Sequence, residues 1–193
     1  MTLDSWQSFG ERIAWEGALQ VSCEPLDAPL EVPRRARLEQ LDAGVLATLN
    51  ILAERSGEPP ADESVAAALT RIDAKLDVLL EMFNRHLLGH VQLPPRRKVR
   101  FNQRGILIEG WASPAPGTRM LVCLHFDACI GLPLELPGVT AAAPPGSGGF
   151  VAFEGLDEDI RQGIEHLVFR QHRRQLAEAR REPHSVPPQQ TRD

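Results

Sequence analysis

VRFNQRGILIEGWAS (residues 99–113) decides the reading of this chain, because it is β-like and punctuated by glycine. Three similar stretches follow it: TRMLVCLHFDA (118–128), LPLELPGVTAAA (132–143) and GGFVAFEGL (148–156). Short strands broken by Gly and Pro at spacings of roughly ten residues predict a small antiparallel barrel or sandwich. Downstream, LDEDIRQGIEHLVFRQHRRQLAEARR (156–181) reads as a helix, with acids at its start and arginines at its end, as the helix dipole favours. Beyond it, residues 183–193 are polar and Pro-bearing, and are expected to be a disordered tail.

Upstream of the β zone lies a helical one, residues 37–92. In RLEQLDAGVLATLNILAERSG (37–57), apolar residues at 38, 41, 45, 49 and 52 are three and four apart, and Gly57 with Pro59-Pro60 is expected to end the helix. A second helix runs from about Asp62 or Ser64 to Leu88 (SVAAALTRIDAKLDVLLEMFNRHLL). Its stripe of Val65, Leu69, Ile72, Leu76, Leu79, Phe83 and Leu87 keeps a heptad seam, widened by Leu80 and Leu88. One companion helix would not cover it. Burial of seven such side chains contributes ~10–20 kcal/mol gross, so self-association is the expected outcome. The first 36 residues read as mixed and loop-like, except that RIAWEGALQVSC (12–23) approaches strand alternation.

Composition narrows the function. The 193 residues are 42% hydrophobic and 24% charged, with a net charge of −5. That profile excludes a wholly disordered chain and a broadly basic nucleic-acid binder. The arginines of the last helix (Arg170, Arg173, Arg174, Arg180, Arg181) read as a basic helix C-terminus, so no nucleic-acid polymer is expected as a partner. Cys23, Cys123 and Cys129 have no CxxC spacing and suit a reducing, cytoplasmic setting. No apolar run reaches the ~20 residues of a spanning helix, and the N-terminus lacks a signal-peptide core.

No catalytic or metal set is expected. Gly146-Ser147-Gly148-Gly149 lacks the Lys-Ser/Thr of a phosphate loop and reads as an inter-strand turn. His86 and His90 are four apart but have no third ligand, while His166 and His172 lie among arginines. Asp157, Glu158 and Asp159 are adjacent on a helix and point in different directions. The basic run Arg96-Arg97-Lys98-Val99-Arg100 stands out, since guanidinium groups grip phosphates in a fork and stack on planar rings. A solvated basic linker is the alternative reading.

PRRKVRFNQRGILIEG (95–110), PGTRMLVCLHF (116–126), LPLELPGVT (132–140) and the run from Gly148 into the last helix together resemble a PilZ domain. This is the β-barrel family of bacterial cyclic di-GMP receptors. The helical zone resembles that of an atypical subgroup, whose heptad helices associate into tetramers. The resemblance implies an α+β fold: a small antiparallel β-barrel over 93–182, with two long helices as an oligomerisation stem and a C-terminal helix. The strand-like 12–23 segment would complete the barrel.

Nucleotide-binding members carry RxxxR and, a hairpin later, D/N-x-S-x-x-G. Carried over, the ligand residues would be Arg96, Arg97, Arg100, Asn102 and Gly105. Here the two motifs overlap, with Asn102 at the serine position and Arg100 at the Asp/Asn position. The resemblance therefore implies a non-catalytic adaptor without cofactors, forming homotetramers and contacting an unidentified protein in cyclic di-GMP-linked pathways. The motif overlap argues against intact dinucleotide binding. The alternative is a functional receptor using the basic segment.

Overall fold

The computed structural model describes residues 2–53, 63–88 and 92–181. Its elements are α1 (Thr2–Gly10), β1 (Trp15–Pro25), α2 (Val32–Ala53), α3 (Glu63–Leu88), β2 (Arg96–Asn102), β3 (Gly105–Ile108), β4 (Arg119–His125), β5 (Leu134–Ala141), β6 (Gly149–Phe153) and α4 (Glu158–Arg181). The expected helix stop at Gly57 and the 183–193 tail lie outside the described residues.

Six antiparallel strands close a barrel in the order β1-β2-β3-β6-β5-β4. The strand at the N-terminus completes it. β1 pairs with β2 from Trp15↔Phe101 to Gln20↔Arg96, then with β4 from Gln20↔His125 to Pro25↔Met120. The barrel is thus built from two separate stretches of chain, with α2 and α3 inserted between β1 and β2.

Alternation explains the interior. Val99 and Phe101 of β2, Ile106 and Ile108 of β3, and Met120, Val122 and Leu124 of β4 are buried in one core with Leu134, Leu136 and Val151. Closure leaves the barrel without the unpaired edges that an open sheet would expose. α4 seals it with Ile160, Ile164, Leu167 and Val168. α2 lies against α4 and β5, burying Val45, Leu46 and Leu49. It begins at Val32, five residues before the expected start, because Pro33 fits the first helical turn, where no amide donor is needed.

α3 differs. No other described element packs substantially against it. Leu69, Ile72, Leu76, Leu79 and Phe83 are between 46% and 60% exposed, and Val65 is 44% exposed. Leu87 falls outside the described side chains. Of the two long helices, α2 serves the barrel and α3 carries the open stripe.

The loop-like reading of the first residues needs correction. Thr2–Gly10 is helical. Phe9 is fully buried and Trp6 half-buried against Phe150, Leu107, Ala141, Ala143 and Ala152, an apolar cluster separate from the barrel core. Leu3, Trp6 and Phe9 stand three apart, a helical spacing that spans only two turns, and the outer barrel face that receives the two aromatic residues exists only in the folded state.

Candidate functional site on the outer barrel face

Strand geometry divides the five candidate ligand residues. Successive side chains of β2 alternate faces, so Arg96, Arg100 and Asn102 lie on one side and Arg97 on the other. Arg96 and Asn102 stand at opposite ends of the strand, about 20 Å apart at ~3.3 Å per residue. Arg96 makes a forked pair with Asp127, donating to Oδ1 at 2.9 Å and to Oδ2 at 2.8 Å. Arg97 donates to the Gly110 carbonyl at 3.3 Å. Arg96, Arg97 and Asn102 therefore do not converge on one open surface.

Arg100, Asn102 and Gly105 do come together, beneath α1. The Asn102 Nδ2 donates to the Phe9 carbonyl at 3.0 Å, and its Oδ1 accepts the Arg104 amide at 2.8 Å. The buried amide thus fixes the β2–β3 turn and adds a second donor to the Phe9 carbonyl at the C-terminus of α1, which also accepts the Arg12 amide at 3.3 Å. The Arg100 guanidinium carbon lies 5.6 Å from the centre of the Phe9 ring, an attractive cation–π contact. Gly105 faces Phe150, and a Cβ there would stand 2.8 Å from the ring and 2.5 Å from the Val151 carbonyl oxygen. Trp6, Phe9 and Phe150 form a ring cluster with centroids 5.1–5.5 Å apart. In this structure these candidate residues hold a helix.

Beside this cluster, β1, β2 and β3 line an open groove of about 760 Å³ with Glu16, Ala18, Lys98, Arg100, Leu107 and Glu109 on its walls. Its cations are already answered. Arg100 pairs with Glu16 at 3.2 Å and Lys98 with Glu109 at 4.0 Å. These exposed pairs are individually weak, so they dilute an anion site without closing it. Sequence reasoning missed Glu16, Glu109 and Asp127 as partners, since each lies on another strand or loop.

The remaining chemistry is quiet. Among the described residues there is no His/Cys/Asp/Glu group able to hold a metal, and no helix is long and apolar enough to cross a membrane. Burial pushes the Cys23 thiol up to about 12 and those of Cys123 and Cys129 to about 11, which keeps all three protonated and unreactive.

The family profile described as "Atypical PilZ domain, cyclic di-GMP receptor" matches residues 44–181, well over half of the sequence. The chain belongs to the atypical PilZ domain family. Among solved structures it is similar to a Xanthomonas campestris protein described as a tetrameric PilZ domain self-assembled through a helical bundle. Identity is 24%, the TM-score is 0.67, and the match covers 88% of this chain and 93% of that one, which shows a shared PilZ fold. No curated protein matches the chain. The atypical PilZ match begins inside α2, so β1 and α1 lie outside it.

Proposed function

We propose that this chain is a non-catalytic, cytoplasmic signalling adaptor of the atypical PilZ type, which forms a homotetramer through α3 and acts by protein contacts without a cofactor. The observation that carries the reading is the seam of Leu69, Ile72, Leu76, Leu79 and Phe83, half exposed on a helix against which no described element packs substantially. Covering the exposed half of each side chain contributes about 1 kcal/mol apiece, repeated in every protomer. The helical-bundle tetramer of the Xanthomonas campestris structure supports four copies as the state. Three free, unreactive thiols fit a reducing compartment.

Cyclic di-GMP is not expected to bind tightly. The arginines are splayed along and across β2, and each has a protein partner. The family description favours the second reading, a working receptor. Light scattering after size exclusion, together with calorimetric titration of cyclic di-GMP, tests both. A tetramer without heat of binding supports the adaptor. A monomer at high concentration removes the stem's role, and micromolar binding lost on Arg96→Ala or Arg97→Ala establishes the receptor.

A further inference from the structure

We propose that α1 is a releasable strap lying in a helix-docking groove on the outer barrel face, and that the groove's external partner is a short amphipathic helix carrying two aromatic side chains three residues apart. This deepens the adaptor reading and rests on it. A monomeric chain in light scattering removes the stem without touching the groove, so the two can fail separately.

The strap is weakly self-supporting. Its nine residues fall below the ~12–15 at which an isolated helix begins to hold in water, so its helicity depends on docking. The attachment is local: Trp6 and Phe9 enter the ring cluster, Arg100 lies over the Phe9 ring, and the Asn102 amide holds the Phe9 carbonyl. None of these contacts belongs to the barrel core, which lies on the inner side of the same strands.

The receiving surface is preshaped. Phe150 is held against β3 by the missing side chain of Gly105, and the Asn102 side chain is fixed by its bond to the Arg104 amide. When α1 leaves, Phe150 and Ala141 face water, and the Asn102 amide loses the Phe9 carbonyl as its acceptor. Both losses are repaired by an occupant with two aromatic side chains and a helix C-terminal carbonyl in the place of Phe9. The short link from Glu11 to Ala14 keeps α1 close, at an effective concentration of about millimolar for a short tether. A free partner's affinity is therefore reduced by the fraction of chains with the groove open.

A fluorescently labelled peptide of residues 2–10 (TLDSWQSFG) is the probe, added to the full chain and to its Phe9→Ala variant with polarisation as the readout. The variant should bind the peptide about tenfold or more tightly than the parent, by removal of the competing strap. A further Phe150→Ala substitution should abolish that binding. No binding by Phe9→Ala, or binding that survives Phe150→Ala, overturns the proposal. Hydrogen exchange on the unaltered chain gives a test that needs no substitution. The α1 amides should exchange at least tenfold faster than those of β2 and β3, by local opening. Equal protection in α1 and the barrel overturns the strap.

Discussion

Asp42 on α2 is only 3% exposed, with its Oδ1 accepting the Glu135 amide at 2.8 Å. Burial is the largest influence on its carboxyl. The amide hydrogen bond works against burial, the charges of Glu135 and Glu39 add to it, and the pKa rises to about 7. The folded chain thus keeps a proton that the unfolded chain releases near pH 4. Stability contributed by this group is therefore lost as pH rises from about 4 to about 7. Asp42→Asn should flatten that slope and stabilise the chain at pH 8 by roughly 1–3 kcal/mol, since an amide is less costly to bury than a carboxylate. Thermal melts of both chains across pH 4–8 check it; parallel pH profiles would show that Asp42 is not the cause. Gly105→Ala should cost about 1–3 kcal/mol by overpacking against Phe150 and the Val151 carbonyl, lowering the melting temperature by roughly 2–4 °C per kcal/mol. The basic run itself was legible in sequence. Its meaning was not, because Asp127 and Glu16 are brought to Arg96 and Arg100 only by the barrel.

Elements differ in how plainly the sequence announces them. α3 is readable because its apolar steps of three and four persist without a break, and its observed bounds differ by a residue from those of the periodicity. α1 was unreadable for the opposite reason. Its stability comes from a distant surface, and within its nine residues the only hint is the three-residue spacing of Leu3, Trp6 and Phe9. β1 was half readable, since alternation survives around Gly17 although its partners lie on β2 and β4. The α3 seam makes the element-scale prediction. Leu76→Glu or Leu79→Glu places a charge in the apolar seam and should reduce the proposed tetramer to monomers in light scattering, with the β signal in circular dichroism unchanged. An oligomer indifferent to both substitutions would mean that other surfaces hold it together.

For the whole molecule, barrel and stem are nearly separate cooperative units, because α3 shares little contact with the rest among the described residues. In the proposed assembly helix formation in α3 is coupled to association, and its melting should rise with protein concentration while the barrel transition stays fixed. Circular dichroism melts over a hundredfold concentration range check this. A single transition at one temperature throughout would show that the two units unfold together. Strand spacing limited the β zone to a small antiparallel barrel or sandwich, and the PilZ resemblance selected the barrel. Its closure by the 12–23 strand came from the same resemblance, since the partners of β1 lie on β2 and β4, across the helical insertion.

That insertion has a consequence for how the chain is made. The strand that shuts the barrel leaves the ribosome before the other five, and Gln20 must wait for Arg96 and then for His125 before its backbone is paired. At about 5–20 residues per second the delay is on the order of several seconds, long compared with the sub-microsecond growth of a helix. Nascent chains therefore expose the sticky flank of the stem while the head is still an open ribbon. In the proposed assembly, copies made from one message have time to find each other before either has finished folding.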